Sequence, residues 1–213
     1  MTCFSFCREI KEEMNTHITL MGKIFEEYFS FRKYSILLSR LIGEDTQNID
    51  KAFKYMILMH DSGKSFTNFQ GKCSFKGHEY ISAYLAYILG ENFSEILRKT
   101  ISTAIALHHH TMIDRFQIIY KLPNPITFSP QCIDFFKKHG IVFPEKVFKN
   151  DVIMINNKLT EFFKKNYRLV YYFLYPLTII DNIAGLIRDG RGTVVGRESL
   201  EVFKNHLFLR LIY

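Results

Sequence analysis

Residues 55–66 read YMILMHDSGKSF: an apolar run reaches an adjacent imidazole and carboxylate, His60 and Asp61, then stops at Ser62-Gly63-Lys64. A helix ending this way brings two metal-ligating groups to its tip, and a glycine there lets the chain turn and present the lysine. Outward from this stretch the periodicity is helical almost throughout. Ile10, Met14, His17, Met21, Ile24 and Tyr28 recur at steps of three and four and predict one helix face. A second helix is predicted from about Thr46 to His60, with Ile49, Phe53, Met56 and His60 on one stripe. GHEYISAYLAYIL aligns His78, Ile81, Leu85 and Ile88, and FSEILRKTISTAIALHHH aligns Leu97, Ile101, Ala104 and His108. Near the C-terminus, YRLVYYFLYPLTIIDNIAGLIRDG reads as one long helix kinked at Pro176, with Asp181 past its middle. The predicted architecture is an all-α helical bundle. Minor β content is expected near the C-terminus, where a glycine-rich turn suggests one short hairpin before a last helix.

Composition bounds the class. A chain of 213 residues suits one domain over 1–213, with a core of about 10–190 and a C-terminal tail over 190–213. Four of the five prolines fall between about Lys121 and Pro144, which predicts a loop or insertion over 121–144. Hydrophobic residues make up 47%, enough for a packed core, so wholesale disorder is excluded. The net charge of +7 leans towards a polyanionic partner. The longest apolar stretch, LVYYFLYPLTII, is too short for a bilayer and reads as a buried helix, so no membrane partner is expected. Cys3, Cys7, Cys73 and Cys132 form no C-x-x-C pair and suggest no disulfide framework, so a reducing cytoplasm is the expected setting.

Histidines on or beside the apolar faces of four predicted helices, together with the His60-Asp61 pair, are the chemical signal. A lone histidine on such a face is ordinarily a satisfied core residue. Several together are costly to desolvate, and a shared metal removes that cost at once. Imidazole and carboxylate ligands suit manganese, iron, cobalt, nickel or zinc, with magnesium less natural. No cysteine joins the set, which speaks against a structural zinc site. The ligands exceed what one ion needs, so two ions are expected, with Asp61 best placed to bridge them. Two such ions would polarise a phosphoryl group, and Lys64 would face the phosphate as a point charge.

The ordered set HDSGK at 60–64, FQ at 69–70, HEYISAYLA from 78, IALHH from 105 and DNIAG from 181 resembles the HD-domain phosphohydrolase superfamily. In detail it looks like the standalone HD nuclease subunit of type I CRISPR interference, separate from its helicase, over roughly residues 10–190. The resemblance implies that His17, His60, Asp61 and Asp181 hold a first metal. It implies that Asp61, His78, His108 and His109 hold a second, while Asp61 and Lys64 serve catalysis. The family shows a histidine pair where this chain has His108-His109-His110; His108 continues the apolar stripe, and a shift by one residue is the alternative. The implied activity is metal-dependent cleavage of single-stranded DNA, with RNA as a further substrate. The implied partners are a helicase subunit and the crRNA-guided surveillance complex. The other reading is an HD-type phosphohydrolase acting on nucleotides or cyclic nucleotides, which shares these ligands. A degenerate HD scaffold would lack ligands, and here every expected position is filled.

GKS lacks the earlier glycine of a P-loop, since position 58 is Leu. KSFTNFQGKCSFKGHEY interleaves Lys64, Phe66, Phe69, Lys72, Phe75 and Lys76, the composition of a single-strand groove. The plain alternative is a loop of packed phenylalanines and solvated lysines. Arg188, Arg191 and Arg197 could face a phosphate backbone, though a solvated tail is more common. Asp114 is a candidate outer carboxylate or a surface residue, and His139 and His206 read as surface or packing residues.

Overall fold

The computed structural model describes residues 2–7, 9–30, 33–109, 116–190, 193, 194 and 196–201. Asp114, His110, Arg191 and His206 lie outside the described residues. The chain opens with a two-stranded antiparallel hairpin, β1 (Phe4–Cys7) and β2 (Lys11–Glu13), with Phe6 opposite Glu12. The helices follow: α1 (Met14–Phe25), α2 (Tyr34–Ile42), α3 (Thr46–Met59), α4 (Thr67–Lys72) and α5 (His78–Leu89). Then come α6 (Glu95–Leu107), α7 (Phe116–Ile119), α8 (Pro130–Lys138) and α9 (Lys149–Asp189). A π-helical turn, Glu26–Ser30, extends α1, and a 3-10 turn, Ser62–Ser65, separates α3 from α4.

The all-α expectation holds, but the β structure is at the opposite end from the one expected. The described residues 194 and 196–201 of the tail are helical, and the hairpin occupies residues 4–13. Its second strand takes residues read as the start of the first helix. Ile10 therefore falls outside α1 and is 45% exposed, whereas Met14, His17, Met21 and Ile24 form the buried stripe.

The core is aromatic at its centre. Phe53 of α3 stacks between Phe25 of α1 and Phe173 of α9, with ring centroids 4.9 and 4.7 Å apart. Helix α5 is buried on nearly every side between α6, α9 and the Ser62–Ser65 turn, which is why its apolar pattern is continuous rather than striped.

Two local expectations change. Helix α9 keeps helical dihedrals at Pro176 and departs from them at Asn166 instead, where φ is −128° and ψ 27°. Pro176 has no N–H to give to the Tyr172 carbonyl, and that carbonyl accepts from the Tyr34 hydroxyl, 3.0 Å away. At the break, the Asn166 side-chain amide donates to Phe162 O at 3.1 Å. By length and composition α9 could cross a membrane; half of its most apolar window is buried, as in a core helix. The segment 121–144 is not all loop, because Pro130 starts α8 at a first-turn position that needs no N–H. Its neighbours clasp the site, with Thr67 N donating to Thr127 O at 3.0 Å and Ser129 N to Ser65 O at 2.8 Å.

The cysteines also depart from expectation. All four pair, Cys3 with Cys132 and Cys7 with Cys73, across 129 and 66 residues of sequence. Such pairs become visible only when the hairpin is seen lying between α8 and the end of α4. The cysteines therefore give no support to a reducing setting.

Candidate metal centre

The site forms where helix ends meet. His60 is the C-cap of α3, His108 the C-cap of α6, and His78 the first residue of α5. His17 lies one turn into α1 and Asp181 two turns before the end of α9. Helix ends suit this purpose, because the side chain there can face a cavity without the next turn crowding it.

Gly63 explains the HDSGK box differently from the sequence reading. It is not among the residues of positive φ, so no special turn requires glycine. The requirement is close approach: a Cβ there would lie 2.2 Å from His78 O, 2.8 Å from Ser82 N and 2.9 Å from Ile81 Cβ. Gly63 N also donates to Ser82 Oγ at 2.8 Å, which locks the loop onto α5 and sets Asp61 beside His78. Gln70 performs a similar task on the other side. Its amide nitrogen donates to Phe4 O at 2.8 Å and Lys64 O at 2.9 Å, and its oxygen accepts from Phe4 N at 3.1 Å. The hairpin is thereby fastened to the lysine loop.

Three imidazoles are oriented by a backbone carbonyl three residues earlier in the chain. Nδ1 of His60 lies 2.8 Å from Ile57 O, that of His78 2.7 Å from Phe75 O, and that of His108 2.6 Å from Ile105 O. A carbonyl only accepts, so each ring carries its N–H at Nδ1 and leaves Nε2 as a free lone pair. Those three Nε2 atoms, with Nε2 of His17 and Oδ1 of Asp61, are buried without a hydrogen bond of good geometry. Buried ring nitrogens and a carboxylate oxygen that converge without partners fit the donor set of a cation site.

They fall into two groups, each with ligand atoms within 4.8 Å of one another: His17, His60 and Asp181, and His78, His108 and His109. Asp61, 1% exposed, stands between them. Its Oδ1 is 2.9 Å from His78 Nε2, and its Oδ2 is 3.4 Å from His60 Nε2 and 3.7 Å from His17 Nε2. Lys64 Nζ reaches the same Oδ2 at 2.7 Å. Among the described residues, His108 and His109 lie at the site; His110, which the shifted alternative needs, lies outside them.

Charge is arranged to match. Burial alone would raise the Asp61 pKa, but His60, Lys64 and His78 outweigh it and hold the carboxyl well below its usual range. Asp181 is likewise held low by His17 and His60 against the effect of burial. His108 is pushed well below the usual imidazole value by burial and by His109 and His78, and His109 falls to about 4 through burial, His78 and Lys64. Both stay neutral, as ligands must. His17 is the exception: burial would lower its pKa, but Asp181, Glu12 and Asp61 raise it to about 9. The ion-free chain thus places a proton at His17, among the carboxylates.

A cavity of about 480 Å³ opens onto this cluster, lined by Phe6, Lys64, Phe75, Lys76, Asn182 and Arg188 among others. The expected stacking residues Phe66 and Phe69 do not belong to it. They are 2% and 8% exposed in the main core, in edge contact with each other, and cannot meet a base. Lys72 is exposed and is not among the lining residues; Lys64 and Lys76 are. The aromatic faces at the cavity are Phe75, with Lys64 over its ring at 5.6 Å, and Phe6, with Arg188 at 3.7 Å. Phe6 and Glu12 went unread because residues 4–13 lack a helical period.

The helical arrangement is that of an HD-domain fold. Among solved structures the chain is similar to the CRISPR-associated Cas3 HD domain protein MJ0384 from Methanocaldococcus jannaschii. The match has a TM-score of 0.59 and 21% identity, and covers 80% of this chain and 95% of that one. No family model matches the sequence, and no curated protein matches it.

Proposed function

We propose that this chain is a metal-dependent nuclease that hydrolyses phosphodiester bonds of single-stranded DNA. The observation that carries the reading is the convergence of orphaned, buried Nε2 lone pairs on Asp61, beside Lys64 and at the floor of an open cavity. His17, His60, Asp61 and Asp181 would hold one divalent ion, and Asp61, His78, His108 and His109 a second; manganese, nickel, cobalt, iron and magnesium are the candidates. When bound, such ions supply Lewis-acid polarisation of a phosphoryl oxygen and lower the pKa of water.

The chain's own groups do the rest. Nδ1 contacts to backbone carbonyls keep His60, His78 and His108 in the ligating tautomer. Asp61 offers one oxygen to each group. Lys64 shifts from Asp61 towards the phosphate and offsets charge that develops there. Phe75, Phe6, Lys76 and Arg188 line an open, cationic and aromatic cavity, which favours a polymer over a free nucleotide. The likeness to an HD domain protein of CRISPR systems supports partners of that setting in the cytoplasm: a helicase chain and a crRNA-guided surveillance complex that expose a single strand. We place all 213 residues in one nuclease domain.

The test is hydrolysis by metal-stripped protein of labelled single-stranded DNA and RNA beside a panel of nucleotides and cyclic nucleotides, with each metal added back. Metal-dependent cutting of DNA, lost in Asp61→Ala, is the expected result. Turnover of nucleotides with DNA intact would make the chain a small-molecule HD phosphohydrolase instead.

A further inference from the structure

The histidines of the two groups are not held alike. His60, His78 and His108 each find a carbonyl three residues back in their own chain, so their orientation is built into the helix end. His17 sits inside α1, where the backbone carbonyls are engaged in the helix. Its Nδ1 instead faces Oε2 of Glu12, 3.1 Å away and off the N–H axis, on strand β2. Glu12 is 6% exposed, far more buried than a surface glutamate. The same Oε2 accepts from Ser5 Oγ at 3.1 Å and meets Arg188 Nη1 at 3.3 Å.

We propose that Glu12 is the positioning residue of His17, and through it of the His17–His60–Asp181 group. A carboxylate behind an imidazole fixes the ring and makes Nε2 a stronger donor. One ion site thus depends on the amino-terminal hairpin, whereas the His78–His108–His109 group, whose His78 and His108 are held by backbone, does not. The hairpin in turn is fastened by Gln70 and by Cys7–Cys73, both beside the lysine loop. This rests on the metal reading above but not on the identity of the substrate.

The test is a calorimetric Mn²⁺ titration of the full chain, as wild type, Glu12→Ala and Glu12→Gln. Loss of an outer carboxylate typically weakens metal binding by about 10- to 100-fold. The expected result is such a loss at one of two sites in Glu12→Ala, the other site keeping its affinity. Glu12→Gln keeps the size and a neutral acceptor, and is expected to restore most of the lost affinity. In Co²⁺-loaded protein, one hyperfine-shifted imidazole N–H signal is expected to exchange faster in Glu12→Ala than in wild type. Equal weakening of both sites, with a matching fall in the unfolding midpoint, would reduce Glu12 to a packing role and overturn the proposal. Unchanged affinity at both sites would overturn it too. A wild-type chain that binds two ions but cuts no DNA would leave Glu12's role standing and sink only the nuclease reading. A wild-type chain that binds no ion would sink both.

Discussion

Gly63→Ala is the substitution in which packing and chemistry are most tightly joined. The added Cβ would lie 2.2 Å from the His78 carbonyl oxygen, where an ordinary contact begins near 3.4 Å, so the turn must retreat by about 1.2 Å. Nothing soft can give way, because two of the three atoms in the path are backbone of α5 and the third is the Cβ of Ile81. The retreat breaks the 2.8 Å bond from Gly63 N to Ser82 Oγ and draws Asp61 away from His78. Overpacking of a tight core costs about 1–3 kcal/mol, and a lost buried hydrogen bond about 1 kcal/mol more. A displacement of this size in a ligand costs about 100-fold in rate. Urea denaturation and Mn²⁺-dependent hydrolysis, measured on the same preparation, read both effects. Gly71→Ala is the control, since its site on α4 is open and φ is unremarkable; it should be neutral or stabilising by up to about 1 kcal/mol. If Gly63→Ala matched Gly71→Ala in both stability and activity, the close-approach argument would be refuted.

Three other predictions follow from separate parts of the molecule. Tyr34→Phe leaves the Tyr172 carbonyl, freed by Pro176, without its hydroxyl partner and should cost about 0.5–1 kcal/mol by urea denaturation; an unchanged midpoint would contradict that account. His17 has its pKa raised from 6.5 to about 9, so in the ion-free chain its proton stabilises the fold fully below pH 6.5, and that stability is lost as pH rises through 9. A metal ion must displace this proton, so Mn²⁺ affinity should rise about tenfold per pH unit from 6.5 to 9, and a flat calorimetric profile would refute the pairing. Reduction of the two disulfides should lower the denaturant midpoint, each link contributing about 2–4 kcal/mol, and a titration finding four free thiols before reduction would contradict the pairing.

What could be read in the sequence was whatever repeats along one helix. His60, His78 and His108 were legible because each continues an apolar stripe to a helix end, and Asp181 because a carboxylate interrupts an apolar run. Contacts between distant segments were not legible. Glu12 lies five residues before His17 with no helical phase between them, since a strand intervenes. The cysteine pairs join residues too far apart for spacing to suggest. Phe66 and Phe69 are interspersed with lysines as groove residues would be, yet both are buried: Phe66 pairs with Phe128 across an isolated bridge, and Phe69 packs edge-on against Phe66. Gly63 was legible as important but for a different reason, since sequence cannot distinguish a glycine that must turn from one that must be approached. Pro176 is tolerated within α9 because the Tyr34 hydroxyl takes up the Tyr172 carbonyl, a contact across 138 residues that no local pattern shows.

Anomalous scattering from a Mn²⁺-soaked crystal would locate the ions themselves. Two peaks are expected, one among His17, His60 and Asp181 and one among His78, His108 and His109, with Asp61 between them. No peak in either group, or manganese bound only elsewhere on the surface, would contradict a two-ion centre.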